Sequence, residues 1–307
     1  MVVLAQRRIA VALGAVLIAV VLAGSVRAQD APADTLVLTG TVRDFRERTV
    51  DGGHPDFEHR PEQGYRLYTG NVETFLGDDG KPVFSGKGVG LRKSWADVRG
   101  RKVCRCMARR YPRAGDQAGK VAEPGTGGIQ SAKSFELWFH DQPGINMAAP
   151  LAITMFRRAD GAWVFDDELD ETYRDLGGFF PIDGRLFGNS ARVEGVDDHN
   201  FHFTVELHAS FTWTAGTGRF LEVRSDDDLW VFINDELVID LGGVHRAKSQ
   251  FADLERLGLV DGSTCRLDIF FADRHRMHSK LGFVTNVRDL RAVDNEAADG
   301  ITSADGQ

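Results

Sequence analysis

Two short apolar runs, Leu229–Ile233 and Leu237–Ile239, follow one another with Asn234-Asp235 between them. Runs this short, bounded by turn residues, read as buried strands, and Asn-Asp between them reads as a tight hairpin. Three successive carboxylates, Asp226, Asp227 and Asp228, stand directly before the first run. They therefore belong to a loop at the mouth of a rigid hairpin. Adjacent acids repel, so folding requires hydrogen bonds, nearby cations, solvent or a bound metal to tolerate them.

The rest of the chain repeats the pattern of short strands and turns. Leu36–Phe45, Leu151–Phe156, Ala162–Phe165, Phe211–Thr214, Phe220–Val223, Leu267–Phe271 and Phe283–Val287 read as strands. Asn200–His208 alternates cleanly, with Phe201, Phe203, Val205 and Leu207 on one side and His202, Thr204, Glu206 and His208 on the other. Gly52–Gly64 and Gly77–Gly90 are loop-like, Phe179–Asn189 reads as irregular backbone over the core, and Phe251–Leu257 reads as one short helix. Hydrophobic residues make up 42% of the chain, including 20 Phe, enough for a substantial core in one large all-β domain. The expectation is a β-sandwich or distorted barrel with long loops and few short helices.

Arg7-Arg8, the apolar stretch Ile9–Gly24 and the Val26-Arg27-Ala28 site read as an export signal over residues 1–28. No later segment is apolar enough to span a bilayer, so a secreted or cell-surface location is expected. Without Arg7, Arg8 and Arg27 the formal charge moves from −8 to about −11. That balance argues against nucleic-acid binding, which needs clustered cations. Arg99, Arg101, Lys102, Arg105, Arg109, Arg110 and Arg113 do cluster, but without aromatic interleaving they read as a solvated surface segment rather than an anion site. Cys104, Cys106 and Cys265 leave one thiol over, and the expected bridge joins Cys265 to Cys104 or Cys106. Residues 294–307 read as a frayed tail.

Six ordered blocks carry a resemblance: Leu38–Phe45, Phe179–Gly184, His199–Phe203, Asp226–Asn234, Leu241–His245 and Phe270–His275. Together they resemble the fibro-slime domain, which is similar to the PA14 β-sandwich of flocculins, toxins and sugar-binding modules. The likeness spans residues 36–290, with 97–128 departing from it as an apparent insertion. It implies a Ca²⁺ site at Asp226 and Asp227, joined by a cis peptide bond, with Asp273 as third side chain and backbone carbonyls from His275 and Met277. Asp228 stands where many relatives carry Gly, and its role is left open. Calcium takes six to eight oxygens, a number that three aspartates, carbonyls and water supply. Zinc at His245, His275 and His278 is the rival metal.

The function implied is a calcium-dependent module recognising glycans or extracellular polymer in adhesion or matrix, not an enzyme. The alternatives are a purely structural matrix component and a glycoside-acting enzyme. Neighbours such as Asp226 and Asp227 do not face each other across a sugar, and no hydrolase elbow, zinc-protease motif or phosphate loop is present.

Overall fold

The computed structural model describes residues 34–190, 192–196 and 198–293. The expected export signal and tail lie outside the described residues. The first half of the chain contributes β1 (Thr35–Phe45), β2 (Tyr68–Thr69), β3 (Val89–Lys93), β4 (Trp95–Ala96), β5 (Lys102–Val103), α1 (Arg105–Arg110), β6 (Lys120–Pro124) and α2 (Ala132–Glu136). Next come β7 (Asn146–Arg157), β8 (Trp163–Asp166), α3 (Glu171–Leu176), β9 (Phe203–Thr212), β10 (Phe220–Ser225), β11 (Asp228–Ile233) and β12 (Glu236–Leu241). The last are β13 (Lys248–Asp253), β14 (Thr264–Asp273), β15 (Leu281–Thr285) and β16 (Arg291–Ala292).

Eleven strands form one antiparallel sheet in the order β12-β11-β14-β9-β1-β7-β8-β15-β10-β13, with β16 against β9. The Gln250 side chain bridges the two ends of that path. Asp240 N donates to its Oε1 at 2.9 Å, and its Nε2 donates to Asp240 O at 2.7 Å. The sheet thus curls toward closure, as a distorted barrel does, and a buried amide substitutes for the missing ladder at the seam.

Period-two alternation divides the apolar residues between two cores. Leu229, Val231 and Ile233 of β11 enter the main core with Val205, Leu207 and Phe271. Trp230 and Phe232, the alternate positions, pack outside it against Phe45, Phe57, Phe135, Trp138 and Phe270. The second core explains why the polar side of β9 is also buried. Glu206 pairs with Arg43 at 3.1 Å and Lys81 at 2.6 Å, His208 Nδ1 meets Asp268 at 2.8 Å, and Thr204 Oγ1 donates to Trp138 O at 2.5 Å. Each of these polar side chains has a partner, which is what makes its burial tolerable.

Three local expectations are corrected. Phe251–Leu257 is not one helix: Phe251–Asp253 ends β13, paired with β10, and only Leu254–Arg256 makes a 3₁₀ turn. β-sheet pairing there outweighs weak helix propensity. Asn200–His208 and Phe211–Thr214 are not separate strands, because β9 runs through Ala209 and Ser210 against β14. The disulfide joins Cys104 to Cys106, and Cys265 is a buried free thiol. The start of α1 folds the chain so that the two Cα atoms lie 5.3 Å apart, within bonding range despite their closeness in sequence.

Most cations of the Arg-rich segment are exposed, as expected of a surface segment, and some of them also pair with the fold. Arg101 pairs with Asp97 at 2.6 Å and lies 3.5 Å over the Phe251 ring, and Arg110 pairs with Glu236 at 2.8 Å. These pairs hold parts of the surface segment against the fold.

Candidate metal and ligand site

The β10–β11 turn and the β14–β15 loop lie side by side at one end of the sheet. Register dictates this: Asp228 pairs with Ala272, so the next step outward sets Asp227 beside Asp273. Backbone hydrogen bonds then stitch the loops together. Arg274 N donates to Asp227 Oδ2 at 2.7 Å, Lys280 N to Asp226 Oδ1 at 2.9 Å, and His245 N to Asp226 O at 2.8 Å. The three aspartates expected to form the site are therefore gathered in one place.

All three are nearly sealed from solvent, with exposures of 5% for Asp226, 3% for Asp227 and 0% for Asp273. Asp273 is the extreme case. Neither of its carboxylate oxygens has a well-aligned hydrogen bond; the neighbouring Ser279 hydroxyl and His275 amide offset its burial only in part. Burial first, then the charges of Asp227 and Asp226, push the Asp273 carboxyl well above its ordinary range. Burial and the Asp226 charge do the same to Asp227. The Asp226 carboxyl is pushed up to about 7, chiefly by burial.

Asp228 has a different task. Its Oδ2 accepts from Arg274 Nε at 2.7 Å and lies 2.6 Å from Nη2, while Oδ1 accepts from Gly243 N at 2.5 Å. Arg274 is itself buried, donating to Gly127 O at 2.9 Å and Asp56 O at 3.2 Å, with its guanidinium 5.0 Å from the centre of the Trp138 ring. This ion pair ties the site to the outer core. Nearby Lys280 turns its ammonium to Asp167, at 3.1 Å. Both side chains thus bond acids other than Asp226, Asp227 and Asp273.

The backbone departs from the resemblance at one point. The described chain contains no cis peptide bond, so Asp226–Asp227 is trans, the form that costs an unliganded non-proline bond less. His275 and Met277 do line the same cleft as Asp226 and Asp227. The Met277 backbone is unusual, at φ 143°. Of the three imidazoles, His275 Nδ1 meets Glu58 at 2.8 Å and His245 Nδ1 donates to Arg246 O at 2.9 Å. Among the described residues no group of three or more His, Cys, Asp or Glu side chains is already arranged to hold a metal ion. The aspartates would have to turn toward a cation, with carbonyls and water completing its shell.

Two participants escape a reading of the sequence. Arg274 follows Asp273 at the end of an apolar run, but nothing local signals a buried cation. Glu58 lies in a segment read only as a loop, with φ 58°. Burial alone would raise its carboxyl, but bonds from His202, His275 and the Arg276 amide hold it far below the usual range. It fixes the β14–β15 loop from outside, since it accepts from both His275 and Arg276 N at 2.8 and 2.7 Å.

Residues 185–299, which hold every aspartate of the site, match the PA14 domain family. The chain is 35% identical to protein psiD of Dictyostelium discoideum over 170 residues, 54% of this chain and 32% of psiD. It is 27% identical to psiR of the same organism over 262 residues, 83% of this chain and 21% of psiR. The chain thus spans a third or less of the length of these relatives. A crystal structure of the PA14 domain of the MpAFP antifreeze protein is similar at 13% identity, covering 33% of this chain and 58% of that one, with a TM-score of 0.21. Among the described residues no helix is long and apolar enough to cross a membrane. The family match over the site-bearing strands and the similarity to the psi proteins bear out the resemblance to a PA14-related protein read from the six sequence blocks.

Proposed function

We propose that this chain is an exported, calcium-dependent binding module that recognises glycans or another extracellular polymer, in adhesion or matrix, and carries no catalytic role. The observation that supports the calcium site is Asp273: two buried carboxylate oxygens without a well-aligned donor, beside two further buried carboxylates. Charges of one sign are gathered this way in a dry site when a cation is to join them. Asp226, Asp227 and Asp273 would hold the ion, with backbone carbonyls of His275 and Met277. Bound calcium would neutralise the carboxylates and offer open coordination positions to hydroxyls of a sugar. Affinity at such a site is modest, and surface recognition then gains strength from many copies acting together.

A glycan array probed with the exported chain tests this reading. Retention on a subset of glycans is expected in calcium and should disappear in chelator. Binding undiminished by chelator would contradict calcium dependence. Absence of binding to every glycan would favour a structural matrix component instead.

A further inference from the structure

Above Asp226 and Asp227 lies a cleft of about 980 Å³, large enough for one or two sugar rings. Its charge is opposite to that of its floor. The lining holds Arg66, Arg92, Lys93, Arg246, Lys248, Arg276 and Lys280, against two acids, Asp226 and Asp227. The chain as a whole carries −8, so this rim is a local reversal.

Some of these cations are already used. Arg276 is bound to Glu47 and Glu58, Lys280 to Asp167, and Arg92 faces Glu123 at 3.8 Å. Arg66 donates to Gln63 O, which satisfies a donor without cancelling its charge. Lys93, Arg246 and Lys248 are exposed and have no acidic partner among the described residues. They come from two separate segments, β3 and the stretch leading into β13, which the fold brings to one mouth. Tyr65 adds an aromatic face, stacked on His275 with ring centres 4.5 Å apart and 41% exposed.

We propose that this cleft takes an anionic saccharide, one bearing carboxylate or sulfate groups, in preference to a neutral one. The inference rests on the reading of the cleft as a saccharide site and specifies its ligand class. A neutral sugar needs hydroxyl contacts and an apolar face; it does not need three unpaired cations at the mouth. An anionic group does, because a cleft lined by one sign of charge focuses its field on the entering ligand. Arg246 can also grip a carboxylate or sulfate through two parallel N–H bonds.

The test is calorimetry on the full chain in calcium with three probes of equal length: an oligo-uronate, a sulfated oligosaccharide and an uncharged oligosaccharide. At low salt at least one anionic probe should bind about tenfold or more tightly than the neutral probe. That advantage should fade by about 0.5 M salt, where surface charges are screened. Comparison of the uronate and sulfate arms identifies which anion is preferred. The triple variant Lys93→Gln, Arg246→Gln, Lys248→Gln should bring anionic affinity down to the neutral level while its heat of calcium binding is unchanged. Equal or tighter binding of the neutral probe would overturn the anionic preference and leave the saccharide reading standing. If none of the three binds while calcium does, the saccharide reading and this inference fall together.

Discussion

Replacing Arg274 with Met should destabilise the protein by about 3–5 kcal/mol, the usual cost of removing one partner from a buried ion pair. Arg274 is 1% exposed and bonds Asp228, Asp56 O and Gly127 O, so its loss strands a carboxylate and two carbonyls at once. It would also withdraw the positive charge that partly offsets Asp227. Pairing Arg274→Met with Asp228→Leu should recover part of the loss, because removing both partners leaves no unpaired charge between them. Chemical denaturation measures both. A single variant within about 1 kcal/mol of the parent would mean that the pair is not what joins the site to the outer core.

The second large effect has the opposite sign. Asp273→Asn should stabilise the protein in chelator at pH 8, by about 1–3 kcal/mol, although the new amide is itself poorly partnered. The direction follows from proton binding. Asp226, Asp227 and Asp273 all have folded-state pKa values raised above the unfolded ones. The folded state then holds protons that the unfolded chain has already released, so the contribution of these groups to stability falls as pH rises from about 4 through 7 and beyond. Buried His54, His202 and His245 act the other way below their unfolded value of 6.5, since their folded pKa values are lowered by burial. The parent-minus-variant difference cancels them. That difference should grow more unfavourable to the parent from pH 6 to 9, as measured by urea unfolding in chelator. A difference that stays flat with pH would show that the three carboxylates are not mutually strained.

The sequence makes the strands around the site legible because their cause is local. Leu229–Ile233 is a short apolar run bounded by turn residues and Asn200–His208 alternates, signals that do not depend on distant partners. The grouping of Asp226 and Asp227 with Asp273 is legible only through resemblance, since the pairing of Asp228 with Ala272 that enforces it spans two strands far apart in the chain. What stays hidden is tertiary: Asp228 looks like one acid in a run of three, and only a buried Arg274 distinguishes it. The cysteine bridge is misread for a related reason. Spacing alone makes Cys104 and Cys106 look too close, whereas the entry to α1 turns the backbone between them. In Phe251–Leu257 the apolar spacing suits either a helix or a strand, and pairing with β10 decides it.

Calorimetric titration of calcium into the chelator-stripped chain tests most directly whether Asp226, Asp227 and Asp273 form a calcium site. One saturable heat per chain is expected, with a dissociation constant near 10⁻⁴–10⁻³ M, roughly the range of extracellular calcium modules. Asp273→Asn should abolish that heat, while Asp268→Asn, which alters a buried aspartate further back along β14, opposite Phe232 and bonded to His208, should preserve it. No heat up to about 10 mM calcium, or the same heat from Asp273→Asn as from the parent, would contradict the account.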